Sequence, residues 1–100
     1  MAELRLSEEA ASDLDDIRRN GIERFGPAAA DRHLRNIRQL IALLADRPFA
    51  GQERPEFRDG IRTVSKHPHR ILYVVAKDVV TIVRVLHHAR DVQDALGGEQ

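Results

Sequence analysis

Cysteine is absent from the 100 residues, which excludes a disulfide framework, a thiolate zinc site and a catalytic thiol. One Tyr, three Phe and no Trp leave few platforms on which a nucleic-acid base could stack. No window approaches the roughly 18 consecutive apolar residues of a membrane helix. MAELRLSEEA lacks the basic segment and apolar run of a signal peptide. P-loop, GxSxG, HExxH and dinucleotide fingerprints are all missing. What is present is an ordinary globular balance, 42% apolar and 32% charged, on a chain long enough for one core and too short for two. These features predict one soluble, cytoplasmic domain over residues 1–96, a flexible tail over 97–100, and no membrane contact.

The formal net charge of zero hides an uneven distribution. Between Arg54 and Arg90 eight Lys/Arg stand against Glu56, Asp59 and Asp78, a balance of +5, so the rest of the chain carries −5. His67, His69, His87 and His88 lie in or beside the basic stretch. Such a stretch suits nucleic acid or an acidic partner, and equally a solvated sheet face.

Glu3-Leu4-Arg5-Leu6 alternates polar and apolar as a short strand does. Ser7 is a natural N-cap, with Glu8 and Glu9 in the first helical turn, where the helix dipole favours anions. Ala10, Leu14, Ile17, Gly21 and Phe25 then form one face of a helix that Gly26-Pro27 ends. A second helical stripe runs through Ala30, Leu34, Ile37, Ile41 and Leu44, widened by Leu40, and stops before Pro48. With almost no linker, the two helices should form an antiparallel hairpin. Residues 48–59 carry two prolines and a glycine and read as loop. Ile61–Ser65, Arg70–Ala76 and Val79–His87 are β-rich, the last two joined by a tight turn at Lys77-Asp78. Asp91–Leu96 reads as a final helical turn. The predicted order is β-α-α-β-β-β, an α+β fold with the helical hairpin on one face of a mainly antiparallel sheet and the other face open. Strand alternation assigns Thr81, Val83, Val85 and His87 to the hairpin, and Ile82, Arg84, Leu86 and His88 to the open face.

The most suggestive cluster is His87-His88-Ala89-Arg90 behind Arg84, which supplies an acid/base group and a cation for phosphate. Parity pairs His88 with Arg84 and sends His87 under the hairpin or into a structural hydrogen bond. A bulge would reverse that assignment. His67-Pro68-His69 lacks a completing metal ligand and reads as a turn with exposed imidazoles, so neither metal nor organic cofactor is expected. Arg62 and Lys66 share a strand face that would grip an acidic segment or simply face water. Glu8, Glu9, Asp13, Asp15 and Asp16 read as the wet side of the first helix.

LSEEAASDLDDI, ERFGPAAADRHLRNI, LIALLADRP, RPEFRDGIR, ILYVV and VTIVRVLHHARD, in this order after a first strand, resemble ParE-type toxins of the RelE/ParE superfamily over about residues 3 to 92. The resemblance implies the toxin of a type II toxin–antitoxin system, neutralised by the C-terminal segment of a ParD-like antitoxin in a hetero-oligomeric complex. It implies DNA gyrase as the target, by inhibition and not by catalysis. RelE members of the same fold instead cut mRNA on the ribosome. The long hairpin, the RPEFRDGIR loop and the RVLHHARD ending favour the ParE side, as does the lack of an aromatic residue after Tyr73. His87-His88 behind Arg84 instead resembles the His-bearing ends of some ribosome-dependent nucleases. For a nuclease, the residues to carry the chemistry are His88, Arg84 and His87. For an antitoxin interface, the hairpin rim (Leu34, Ile37, Ile41) and the cations Arg58, Arg62 and Arg84 are expected to contribute.

Overall fold

A computed structural model describes residues 1–97. Residues 98–100, most of the expected tail, lie outside the described residues. The order is β1 (Glu3–Leu6), α1 (Glu8–Phe25), α2 (Pro27–Asp46), β2 (Gln52–Glu53), β3 (Arg62–Lys66), β4 (His69–Ala76), β5 (Val79–His87) and α3 (Val92–Ala95). The five strands form one sheet in the order β1-β5-β4-β3-β2, with β1 parallel to β5 and every other pair antiparallel. The α+β fold expected from the sequence is therefore present. A fifth strand arises because Gln52 and Glu53, expected as loop, pair with Thr63 and Arg62.

Local chemistry explains the helix ends. Ser7 caps α1 by accepting from the Ala10 N–H at 3.0 Å, and its hydroxyl donates to the Val83 carbonyl at 2.7 Å. One side chain thus starts the helix and fastens it to β5. Gly26, at φ 88°, turns the chain between α1 and α2, a conformation that a side chain would strain. The helices then cross closely, because a Cβ at Gly21 would stand 3.1 Å from that of Ala30.

The hairpin covers one face of the sheet through Ala10, Leu14, Ile37, Ile41 and Leu44, packed on Ile71, Tyr73, Val80, Ile82 and Val85. Phe25, expected in the α1 stripe, overhangs the end of the helix and is 73% exposed. The opposite face is not open as expected. Ile61, Leu72, Leu86 and Val92 form a second cluster there, with Phe57, Val83, Ala95 and Leu96 against it. The Pro-rich loop and α3 act as the third layer of the fold.

A β-bulge corrects the strand alternation. Leu72 pairs with Arg84 but Tyr73 pairs with Ile82, so Val83 is an extra residue in β5. Before the bulge Val80 and Ile82 face the hairpin; after it Val85 does. The expected parity therefore holds from Arg84 onward and is reversed for Thr81, Ile82 and Val83.

Candidate functional site

The sequence candidates separate into three places. The first is the edge of β5 beyond the end of β1. Asp13 on α1 receives Arg84 Nε at 2.7 Å and Arg84 Nη2 at 2.8 Å, and also the Val85 N–H at 2.9 Å. Arg84 Nη1 donates to the Ala95 carbonyl of α3 at 2.8 Å. The two side chains retain only 15% and 12% exposure. Hydrogen bonding to Asp13 is the main reason that the Arg84 pKa is raised. Asp13 is therefore not part of the wet side of α1, and Arg84 is not an open-face cation. Together they bolt α1, β5 and α3.

The second place is the end of the sheet, where five histidines meet. His33 Nε2 on α2 and His69 Nδ1 at the start of β4 are hydrogen-bonded at 2.9 Å. His87 stands edge-on to His69, with ring centroids 5.6 Å apart, and its Nδ1 accepts from the Ala89 N–H at 3.0 Å. His87 is on the hairpin side as expected, yet its side chain is exposed. On the other side His88 neighbours His67 at 5.5 Å between centroids and reaches Ser65 Oγ at 3.4 Å. Burial lowers the His88 pKa, assisted by the positive field of Arg70. His69 is not an exposed turn imidazole, because its bond to His33 ties it to α2.

A groove of about 770 Å³ opens beside this cluster, between the second half of α1 and the first half of α2. Ile17, Gly21, Phe25 and Ala30 give it an apolar wall, while His33, His69 and His87 close its end.

The third place is the hairpin exterior and the loop after it. Ile37 and Ile41 are buried to 0% and 4% exposure against the sheet, so they build the hairpin and offer no surface to a partner. Leu34 is half-buried and lies in a shallow trough on α2, flanked by Arg35 and Arg38. Arg62 is engaged internally: Nη1 donates to the Gly51 carbonyl at 2.7 Å, Glu53 lies 3.6 Å from Nη2, and the guanidinium covers the Phe49 ring at 5.0 Å. Arg58 is exposed in the loop. Tyr73, fully buried in β4, organises the same loop from below. Its hydroxyl donates to the Pro48 carbonyl and accepts from the Gly51 N–H, each at 2.8 Å. Gly51 permits that close approach, because a Cβ there would stand 2.5 Å from the hydroxyl.

Among the described residues no group of three or more His, Asp or Glu is arranged to hold a metal ion. No described helix is long and apolar enough to cross a membrane.

Residues 4–92 match the family model described as ParE toxin of type II toxin-antitoxin system, parDE. Toxin ParE1 of Caulobacter vibrioides is 34% identical over 97% of this chain and 100% of that protein. Toxin ParE1 of Mycobacterium tuberculosis is 33% identical over 87% of this chain and 90% of its own. Among solved structures, the chromosomal ParDE TA system from P. aeruginosa contains a chain of 26% identity that superimposes with a TM-score of 0.78, covering 87% of this chain and 96% of that one.

Proposed function

The chain belongs to the ParE toxin family, and on that footing we propose that it inhibits DNA gyrase in the bacterial cytoplasm and is silenced by a ParD-like antitoxin. The observation that carries the choice of inhibitor over nuclease is the Asp13–Arg84 arrangement. A nuclease reading needs Arg84 to meet a phosphate beside His88. Here its guanidinium is already paired with a carboxylate and a helix-end carbonyl. Displacing Asp13 to bind phosphate would leave that carboxylate largely desolvated and unpaired.

The antitoxin segment we assign is acidic and apolar. The trough around Leu34 offers an apolar floor between Arg35 and Arg38, and Arg58 adds an exposed cation elsewhere on the surface. An amphipathic partner helix fits such a surface by laying apolar anchors inward and carboxylates at the rim. Arg62 and Arg84 contribute by holding the loop and the β5 edge in shape.

A ribosome-dependent mRNA endonuclease is the second reading, supported by His88, His67 and Arg70 gathered near Ser65 at the exposed end of the sheet. Purified protein decides between the two. Inhibition of gyrase supercoiling, with programmed ribosomes left uncut, is the expected result. Cleavage of A-site mRNA with gyrase unaffected overturns it.

A further inference from the structure

All five histidines of the chain, although spread from His33 to His88, come together at one end of the fold. The His33–His69 contact is the only one among them made by a hydrogen bond between two rings, and it joins α2 to the start of β4. At 2.9 Å, one ring must present N–H and the other a bare nitrogen. A single proton between them satisfies both nitrogens. With both rings fully protonated, N–H would oppose N–H and two like charges would lie in contact.

We propose that the His33–His69 pair is a proton-operated latch, closed at neutral pH and loosened in mild acid, that holds α2 against the β3–β4 turn and sets the width of the adjoining groove. Groups from every neighbouring element act on it. The turn supplies His67 and β3 supplies Lys66, while His87, His88 and Arg90 stand at the end of β5. From α1, Asp16, Glu23 and Arg24 line the same groove, and Asp13 is occupied by Arg84. The α1 carboxylates favour protonation, but Asp16 and Glu23 are exposed and screened by water. Burial dominates for His69, followed by the other imidazoles, and holds its pKa down to about 4. His33 is lowered as well, by burial and then by Lys66.

The sign follows from linkage. Both pKa values are depressed in the closed form, so the opened form takes up protons first. Closure is fully favoured above the ordinary histidine pKa of 6.5 and loses its advantage as pH falls from there toward about 4. At pH 5 the His69 shift alone corresponds to at most a roughly 30-fold change in the open-to-closed ratio. Partial solvent access should reduce this to about tenfold.

The test uses the whole protein and needs neither antitoxin nor target, so its failure is distinct from failure of the proposed function. The imidazole proton signals are titrated by NMR from pH 8 to 4, and amide exchange is compared at pH 7 and 5 after correction for intrinsic rates. His69 is expected to titrate well below the ordinary histidine range, at about 4. Residues 30–36 and 66–70 should show about tenfold faster corrected exchange at pH 5, while the middle of β4 stays protected. His69→Gln retains a hydrogen-bonding side chain without titration, and should remove most of the acid acceleration, leaving only the part due to His33. Titration of His69 near 6.5, or acceleration undiminished in His69→Gln, overturns the latch. If His69→Gln fails to fold, the titration of the unaltered protein decides alone.

Discussion

Replacing Arg84 by Met removes a guanidinium that makes two bonds to Asp13 and one to the Ala95 carbonyl. Removing one partner of a buried pair costs about 3–5 kcal/mol, mainly because the other charge stays desolvated. Asp13 keeps the Val85 N–H, and 12% of its side chain still meets water, so the low end applies, about 3 kcal/mol. For a domain of this size, each kcal/mol moves the melting temperature by roughly 4–8 °C, so Arg84→Met should melt about 12–24 °C lower. Asp13→Leu should cost a similar amount, leaving Arg84 with only a neutral carbonyl. The double variant should cost about 4 kcal/mol, less than the two losses added by a coupling energy of about 2 kcal/mol. Urea unfolding followed by circular dichroism at pH 7.5, on all four proteins of the cycle, measures each quantity. A single-variant loss below about 1 kcal/mol with no coupling is the behaviour of a surface ion pair. That result would refute the structural role of Arg84 and return it to the list of cations available to phosphate.

Tyr73→Phe should destabilise by about 1–3 kcal/mol in the same assay, because the buried Gly51 N–H and the Pro48 carbonyl lose their common partner. Gly51→Ala should be at least as damaging, since its Cβ would fall 2.5 Å from the Tyr73 hydroxyl and 2.8 Å from the backbone oxygen of Thr63; a stable Gly51→Ala protein would show that the loop has another position. Arg35→Glu combined with Arg38→Glu should speed antitoxin dissociation at least tenfold by surface plasmon resonance, with folding checked by circular dichroism; an unchanged dissociation rate removes this trough from the interface. His88→Gln should leave toxicity in cells within a few-fold, whereas loss of an acid/base group from a nuclease would lower its rate by about 10²–10⁴; a collapse of toxicity with folding intact favours the nuclease.

The helices and long strands were legible because periodicity reports burial directly. Ser7, Gly26 and Pro27 mark helix ends by their own backbone and side-chain chemistry, and all three occupy the expected places. The closed second face was harder to foresee. Phe57 and Val92 flank the β3–β5 segment in sequence, and only the packed chain brings both onto Leu72 and Leu86. The histidine cluster was half visible. His67, His69, His87 and His88 follow from the pairing of β4 with β5, but His33 reaches them only because α2 crosses the sheet above that end.

The bulge at Val83 decides most of what alternation alone could not. An uninterrupted β5 that turned Ile82 inward would also turn Arg84 inward, under the hairpin. The extra residue lets Ile82 and Val85 both enter the core and leaves Arg84 at the margin, where β1 has already ended. At that margin the strand has backbone groups without a strand neighbour, and α1 supplies the partners: Ser7 Oγ for the Val83 carbonyl and Asp13 for the Val85 N–H. Asp13 can then take Arg84 with the same carboxylate. The acidic residue that looked like a solvated helix position and the cation that looked like a phosphate ligand are thus two halves of one edge closure. The pairing withdraws a cation from the open surface and fixes α1, the β5 edge and α3 in one arrangement.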